Sequence, residues 1–154
     1  MSEKATHADA ELILKLFDLR REAEMRKARN WWVTEFWPET ADDVVKVAMK
    51  FPSQENNWIR QVGGYWEMAA ALVNHGALDQ DLFVEPGCSG EMFFIFAKVE
   101  PFLKELREKM KAPDMFGNIE KVVSSSEKGR QRIKNLQERF AERKKMMSGA
   151  AKAS

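Results

Sequence analysis

Apolar residues recur along almost the whole chain at spacings of three and four, the period of an amphipathic helix. No segment alternates in steps of two for long enough to form a sheet. Near the start, Leu12, Leu16, Leu19 and Ala23 make one stripe, and Leu14, Phe17, Met25, Ala28, Trp32 and Phe36 make its neighbour. Together they predict a first helix over about 9–35, which at the helical rise would be roughly 40 Å long. That is longer than so small a domain is wide, and the charged run Arg20–Arg29 agrees with a middle left bare. Thr6 with Asp9, and Thr40 with Asp43, have capping-box spacing with Asp in place of Glu, and the second opens a short helix over 41–50.

Ser53 caps a third helix over 54–74, ended by Asn74-His75-Gly76, where the glycine supplies a left-handed residue. Trp58, Val62, Tyr65, Ala69 and Leu72 share one face, and Ile59, Gly63, Trp66, Ala70 and Val73 lie beside them, so this helix is the expected centre of the core. Two adjacent glycines inside it, Gly63-Gly64, predict a close approach by another helix. A single turn at 79–83 and a loop over 85–90 precede an apolar stretch in which Met92, Phe96, Val99, Leu103, Leu106 and Met110 keep helical spacing through Pro101, which must kink or restart the helix. Pro113 opens a shorter helix to about Val123. Ser124 with Glu127 marks the last one, running to about Met147 before a frayed end.

The pattern therefore predicts an all-α, single-domain bundle of about six helices, with a long N-terminal helix and a basic C-terminal helix. Residues 1–8 and 148–154 are expected to be disordered. Residues 9–124 form the bundle, and residues 125–147 form a helix belonging to it or docked on it. Between Asn56 and Met110, the aromatic helix WIRQVGGYWEMAAALVNHG, the tail GALDQDLF and the segment PFLKELREKM resemble an uncharacterised bacterial domain-of-unknown-function family. The likeness covers about a third of the chain and implies an all-helical fold. It brings no catalytic residue with it.

A length of 154 residues suffices for one core without disulfide or metal. The single cysteine, Cys88, the nine methionines and the lack of a secretory pattern predict a soluble, cytoplasmic protein. The longest strictly apolar run, Met92–Ala97, is far below the roughly 20 residues of a membrane-spanning helix. A net charge of +1 hides an asymmetry: residues 1–127 carry 16 Lys/Arg against 22 Asp/Glu, a net −6, and residues 128–154 carry 9 against 2, a net +7.

The stretch NWWVTEFWPE, Asn30–Glu39, holds three tryptophans and a phenylalanine in seven positions. Trp32 and Phe36 belong to the apolar stripe and are expected in the core, whereas Trp31 and Trp37 flank it and are candidates for an interface. The polar strip Asn56, Arg60, Glu67 and Asn74 reads first as a solvated face. If it faced a pocket, Glu67 would be a general base and Arg60 an anion anchor. Cys88 precedes a predicted helix start, where the dipole favours the thiolate, but neither His7 nor His75 is placed beside it by spacing. No P-loop, dinucleotide fingerprint, nucleophile elbow, EF-hand or zinc spacing is present, so no catalytic residue, metal or cofactor is implied. On the last helix, basic residues surround the thin stripe Ile133, Leu136, Phe140 and Met147.

These features predict a non-catalytic protein–protein interaction or self-association module, a homo-oligomer with a dimer as its expected form. Its candidate interface is Trp31, Trp37, Arg130, Lys134 and Arg143. The alternative is a helical sensor with an aromatic-lined pocket for a small ligand at Trp58, Arg60, Tyr65, Trp66, Glu67 and Phe93. Nucleic acid on the basic helix ranks below both, because the tail lacks interleaved aromatics and the acidic body opposes phosphate.

Overall fold

A computed structural model describes residues 3–153. In chain order the elements are α1 (His7–Leu19), α2 (Ala23–Asn30), a π-helical turn (Trp31–Glu35), α3 (Ala41–Met49), α4 (Gln54–Asn74), α5 (Gln80–Phe83), α6 (Pro86–Val99), a 3₁₀ turn (Glu100–Phe102), α7 (Leu103–Met110), α8 (Gly117–Ser124) and α9 (Glu127–Ala153). The described residues contain no strand. The helices form one bundle around α4, which packs against α2, α3 and α8, while α6 runs behind them and carries α9 on its far side.

Local chemistry sets most boundaries. Both capping boxes form, with Thr6 and Thr40 accepting from the amides three residues on and Asp9 and Asp43 accepting in return. Ser53 Oγ accepts from Asn56 N–H, and Gly76 closes α4 at φ +76. Pro101 divides the apolar stretch, so that α6 ends at Val99 and α7 begins at Leu103.

The long first helix is broken. Its charged run makes a corner at Arg20–Glu22, because the Glu22 carboxylate folds over to accept from Glu24 N–H (3.1 Å) and Met25 N–H (2.9 Å), capping α2. The corner lets α1 fold back. There Tyr65 donates its hydroxyl to the Leu16 carbonyl, and Asp79 N–H donates to Asp9 Oδ1 at 2.9 Å. The overlong N-terminal helix, one premise of the oligomer expectation, is therefore absent among the described residues: the stretch is two helices, α1 and α2, that both lie on the body.

Further boundaries differ, among them the start of α8, which is Gly117 rather than Pro113. The expected loop over 85–90 is helical, opened by Pro86 at the first position and kinked at Ser89. The last helix is capped by Ser126, whose Oγ accepts from Gly129 N–H at 3.0 Å, rather than by Ser124, and it continues to Ala153 where a frayed end was expected. Nor does any helix press on Gly63-Gly64: a Cβ at Gly64 would meet nothing within 4 Å, and one at Gly63 only the Phe116 ring at 3.8 Å. The close approach occurs instead at Gly129, where a Cβ would stand 2.3 Å from the Val123 carbonyl oxygen. That contact sets the tight crossing from α8 into α9.

Candidate functional site

The aromatic stretch folds inward as a unit. The π turn, closed by Phe36 N–H donating to the Trp31 carbonyl at 2.8 Å, adds a residue to the turn and brings two consecutive tryptophans to the same side. Trp32 is fully buried and Trp31 nearly so, stacked on Phe36 at 4.4 Å and tilted against Trp58 at 6.2 Å. Trp31 is thus core rather than interface: it follows the buried Ala28 by three residues and is covered by Phe36 and Trp58.

Trp37, also assigned to the interface, is half-buried between two cations. Lys98 Nζ lies 3.7 Å from its ring and the Arg143 guanidinium 3.9 Å, while Phe94 and Phe140 meet it edge-on at 5.9 and 5.3 Å. The cluster clamps α9 to α6. Lys98 is itself buried and donates to the carbonyls of Trp32 and Phe36, the latter at 2.7 Å, closing the C-terminal end of the π turn. Burial, with Arg143 adding to it, pushes the Lys98 amine down to about 7, while the carbonyls and rings favour its charged form. Sequence reasoning passed over Lys98, although a lone cation inside the apolar run of α6 was a signal. A cavity of about 230 Å³ opens beside this cluster, lined by Trp37, Lys98, Phe102, Gln137, Phe140 and Arg143 among others.

Arg130 donates to the Ser124 carbonyl at 2.6 Å, closing the end of α8, while Lys134 is exposed. Along α9 only Gly129 and Ile133 are buried. Arg132 donates to the Val84 carbonyl at 2.9 Å and Gln137 to the Ala97 carbonyl at 3.2 Å, fixing the first half on the end of α5 and on α6. Past the exposed pair Lys144–Glu39 (3.1 Å), every remaining described residue of the helix is exposed, including Met146 and Met147.

The aromatic pocket expected on α4 is filled core. Trp66 is buried and donates Nε1–H to Glu91 Oε1 at 3.0 Å, and Glu91 also takes the Arg29 guanidinium at 2.8 Å. Tyr65 packs edge-on to Trp66 at 4.9 Å, and Phe93 lies under the Arg132 guanidinium at 3.9 Å. Arg20, in the charged run, is also buried, its guanidinium 3.9 Å from the Phe17 ring and 5.4 Å from that of Trp66.

The polar strip of α4 caps its neighbours. Glu67 accepts from Asn118 N–H (2.8 Å) and Ile119 N–H (3.1 Å), supplying the N-cap that α8 lacks in its own sequence. Asn56 Nδ2 donates to the carbonyls of Val47 (3.2 Å) and Ala48 (2.7 Å), at the end of α3, and Asn74 Nδ2 donates to the Asn118 carbonyl at 3.1 Å. A solvated face was expected there, but the strip binds helix ends. Both oxygens of Glu67 are thus engaged by backbone amides, one on each.

Cys88 lies inside α6, not ahead of a helix start, and the dipole does not set its thiol. Burial and the Glu85 carboxylate push the thiol up, outweighing the opposing Arg20. His75, exposed at the end of α4, makes no hydrogen bond to it. No group of three or more His, Cys, Asp or Glu among the described residues is arranged to hold a metal ion, and no described helix is long and apolar enough to cross a membrane.

The architecture thus defines a compact all-α domain whose polar interior serves helix capping, with a basic helix appended to it. Residues 5–126 match the family model described as a domain of unknown function (DUF4760), and the chain belongs to that family. The stretch from Asn56 to Met110 that suggested such a family lies inside the match, and α9 lies beyond its end. No curated protein and no solved structure matches the chain.

Proposed function

We propose that this chain is a non-catalytic interaction module that self-associates, with the outer half of α9 as its contact and the acidic body of a second copy as the surface contacted. The observation that carries this reading is an apolar stripe that outruns the body. Ile133, Leu136 and Phe140 pack at helical spacing against the core, and Met147, seven residues further along the same stripe, is 58% exposed. The helix continues to Ala153 beyond it.

Charge supports the choice of partner. Residues 128–154 carry +7 and residues 1–127 carry −6, so α9 of one copy is attracted to the body of another. A reciprocal, two-fold arrangement uses both tails at once and doubles the buried area. A cytoplasmic setting suits this reading, since one unpaired thiol persists in a reducing compartment. The acidic body disfavours nucleic acid as the alternative counterpart of the basic helix.

Light scattering on the chain, a truncation after Lys145 and Met147→Glu tests the proposal. The intact chain is expected to exceed the 17.8 kDa of one copy, and both variants to fall toward it. A single-copy mass for the intact chain at every concentration, or unchanged assembly in both variants, overturns it.

A further inference from the structure

A cavity of about 390 Å³ lies between α3, α4 and the α7–α8 connection, well away from α9. Its lining is apolar almost throughout, with Val44, Ala48, Ile59, Met110, Met115 and Phe116 around the bare backbone of Gly63 and Gly64. Two glycines within a helix of 21 residues cost about 1 kcal/mol each relative to alanine. The structure gives no packing reason for that cost, because a Cβ would fit at both positions: at Gly63 it makes ordinary contact with the Phe116 ring at 3.8 Å, and at Gly64 it meets nothing within 4 Å. What the glycines do is keep the cavity open.

The facing wall is held in place at a cost as well. Phe116, a bulky residue, adopts the left-handed conformation at φ +58, as does Lys111 at φ +51 at the start of the same connection. Arg107 fixes the loop between them by donating Nε–H to the Met115 carbonyl at 2.9 Å. Met115 and Phe116 are thereby turned toward the glycines.

Three polar side chains border the cavity, and two are fully used. Both oxygens of Glu67 accept from α8 amides, and both amide protons of Asn56 go to the end of α3. Arg60 is different: Nε donates to Asn56 Oδ1 at 3.0 Å and Nη2 to Asn57 Oδ1 at 3.1 Å, which fixes the guanidinium plane, while Nη1 donates to no described residue. An apolar cleft with one oriented cation at its mouth complements an apolar body bearing one negative group.

The geometry points to this cleft as a binding site for a small amphipathic carboxylate, its aliphatic or aromatic body lying over Gly63-Gly64 and its carboxylate on Arg60. The site is independent of α9 and of self-association.

Calorimetric titration of the full chain with decanoate and with decanol separates the body from the headgroup. Decanoate is expected to bind one per chain. Gly64→Leu fills the cleft from a helix that gains propensity, so it is expected to melt cooperatively and to lose decanoate binding at least about tenfold. Arg60→Gln, an exposed change, is expected to weaken decanoate about tenfold and leave decanol unchanged. Failure of the native chain to bind decanoate, binding undiminished in Gly64→Leu, or equal effects of Arg60→Gln on both probes would overturn the assignment.

Discussion

The two longest helices of the molecule use their surfaces in opposite ways. α4 spends most of its surface inside the chain: seven of its 21 residues are buried, and its polar strip closes the ends of α3 and α8. α9, at 27 residues, buries two, and its second half touches little of the chain that carries it. Hydrophobic periodicity alone does not distinguish them, for both carry an apolar stripe. The difference lies in what surrounds the stripe: on α4 two asparagines and Glu67 reach neighbouring backbone, and on the outer half of α9 the polar groups are mostly long cations suited to water or to an opposite charge. The comparison locates structural polarity in the middle of the chain and unspent polarity at its end.

The contrast breaks first at the core of α4. Trp66→Ala removes a buried indole together with its hydrogen bond to Glu91, and a loss of about 3–5 kcal/mol is expected in denaturant unfolding. Glu67→Ala should cost less, about 1–3 kcal/mol, by leaving the Asn118 and Ile119 amides without their acceptor. Amide exchange should then accelerate selectively in the first turn of α8. Wild-type exchange there would mean that the strip is a solvated face after all.

Lys98 sharpens the comparison from the side of α9, since it and Arg143 hold the tryptophan on which that helix rests. Its folded-state pKa of about 7 lies below the ordinary 10.5, so between those values the unfolded chain binds more protons than the folded one. Stability should therefore rise as pH climbs from about 7 toward 10.5, with no further contribution from this group below that window. Urea midpoints across the range read the slope, and Lys98→Met should remove this group's part of it. If the slopes are identical, the amine remains charged in the fold. The smallest stability effect belongs to Met147→Glu, expected within about 0.5 kcal/mol because the side chain is exposed, even though the same change is expected to reduce self-association.

Much of this architecture was legible in the residues. Thr6, Ser53, Thr40, Gly76 and Pro101 end or begin helices by local chemistry that reads directly from spacing, and the bounds of α4 were recovered in full. The corner at Glu22 was not, because it contains neither glycine nor proline and rests on a carboxylate capping its own chain two and three residues ahead. The π turn hid the stacking of Trp31 on Phe36, since its wider turn brings residues five apart to one side. The roles of Glu67, Asn56 and Lys98 depend on which helix ends lie opposite them, and that is a property of the assembled bundle. For the same reason the aromatic members of the expected pocket dissolved into core, while Arg60 and Glu67, named with them, line the cleft beside Gly63-Gly64, whose far wall comes from α3 and the α7–α8 connection.

The unspent half of α9 is the point at which the account is most exposed. Amide hydrogen exchange over residues 145–153, measured on the intact chain at two protein concentrations well apart, tests it most directly. Fast exchange when dilute and clear protection when concentrated would show that a second copy covers the helix. Equally fast exchange at both concentrations would contradict the claim that this surface is made for a partner of its own kind.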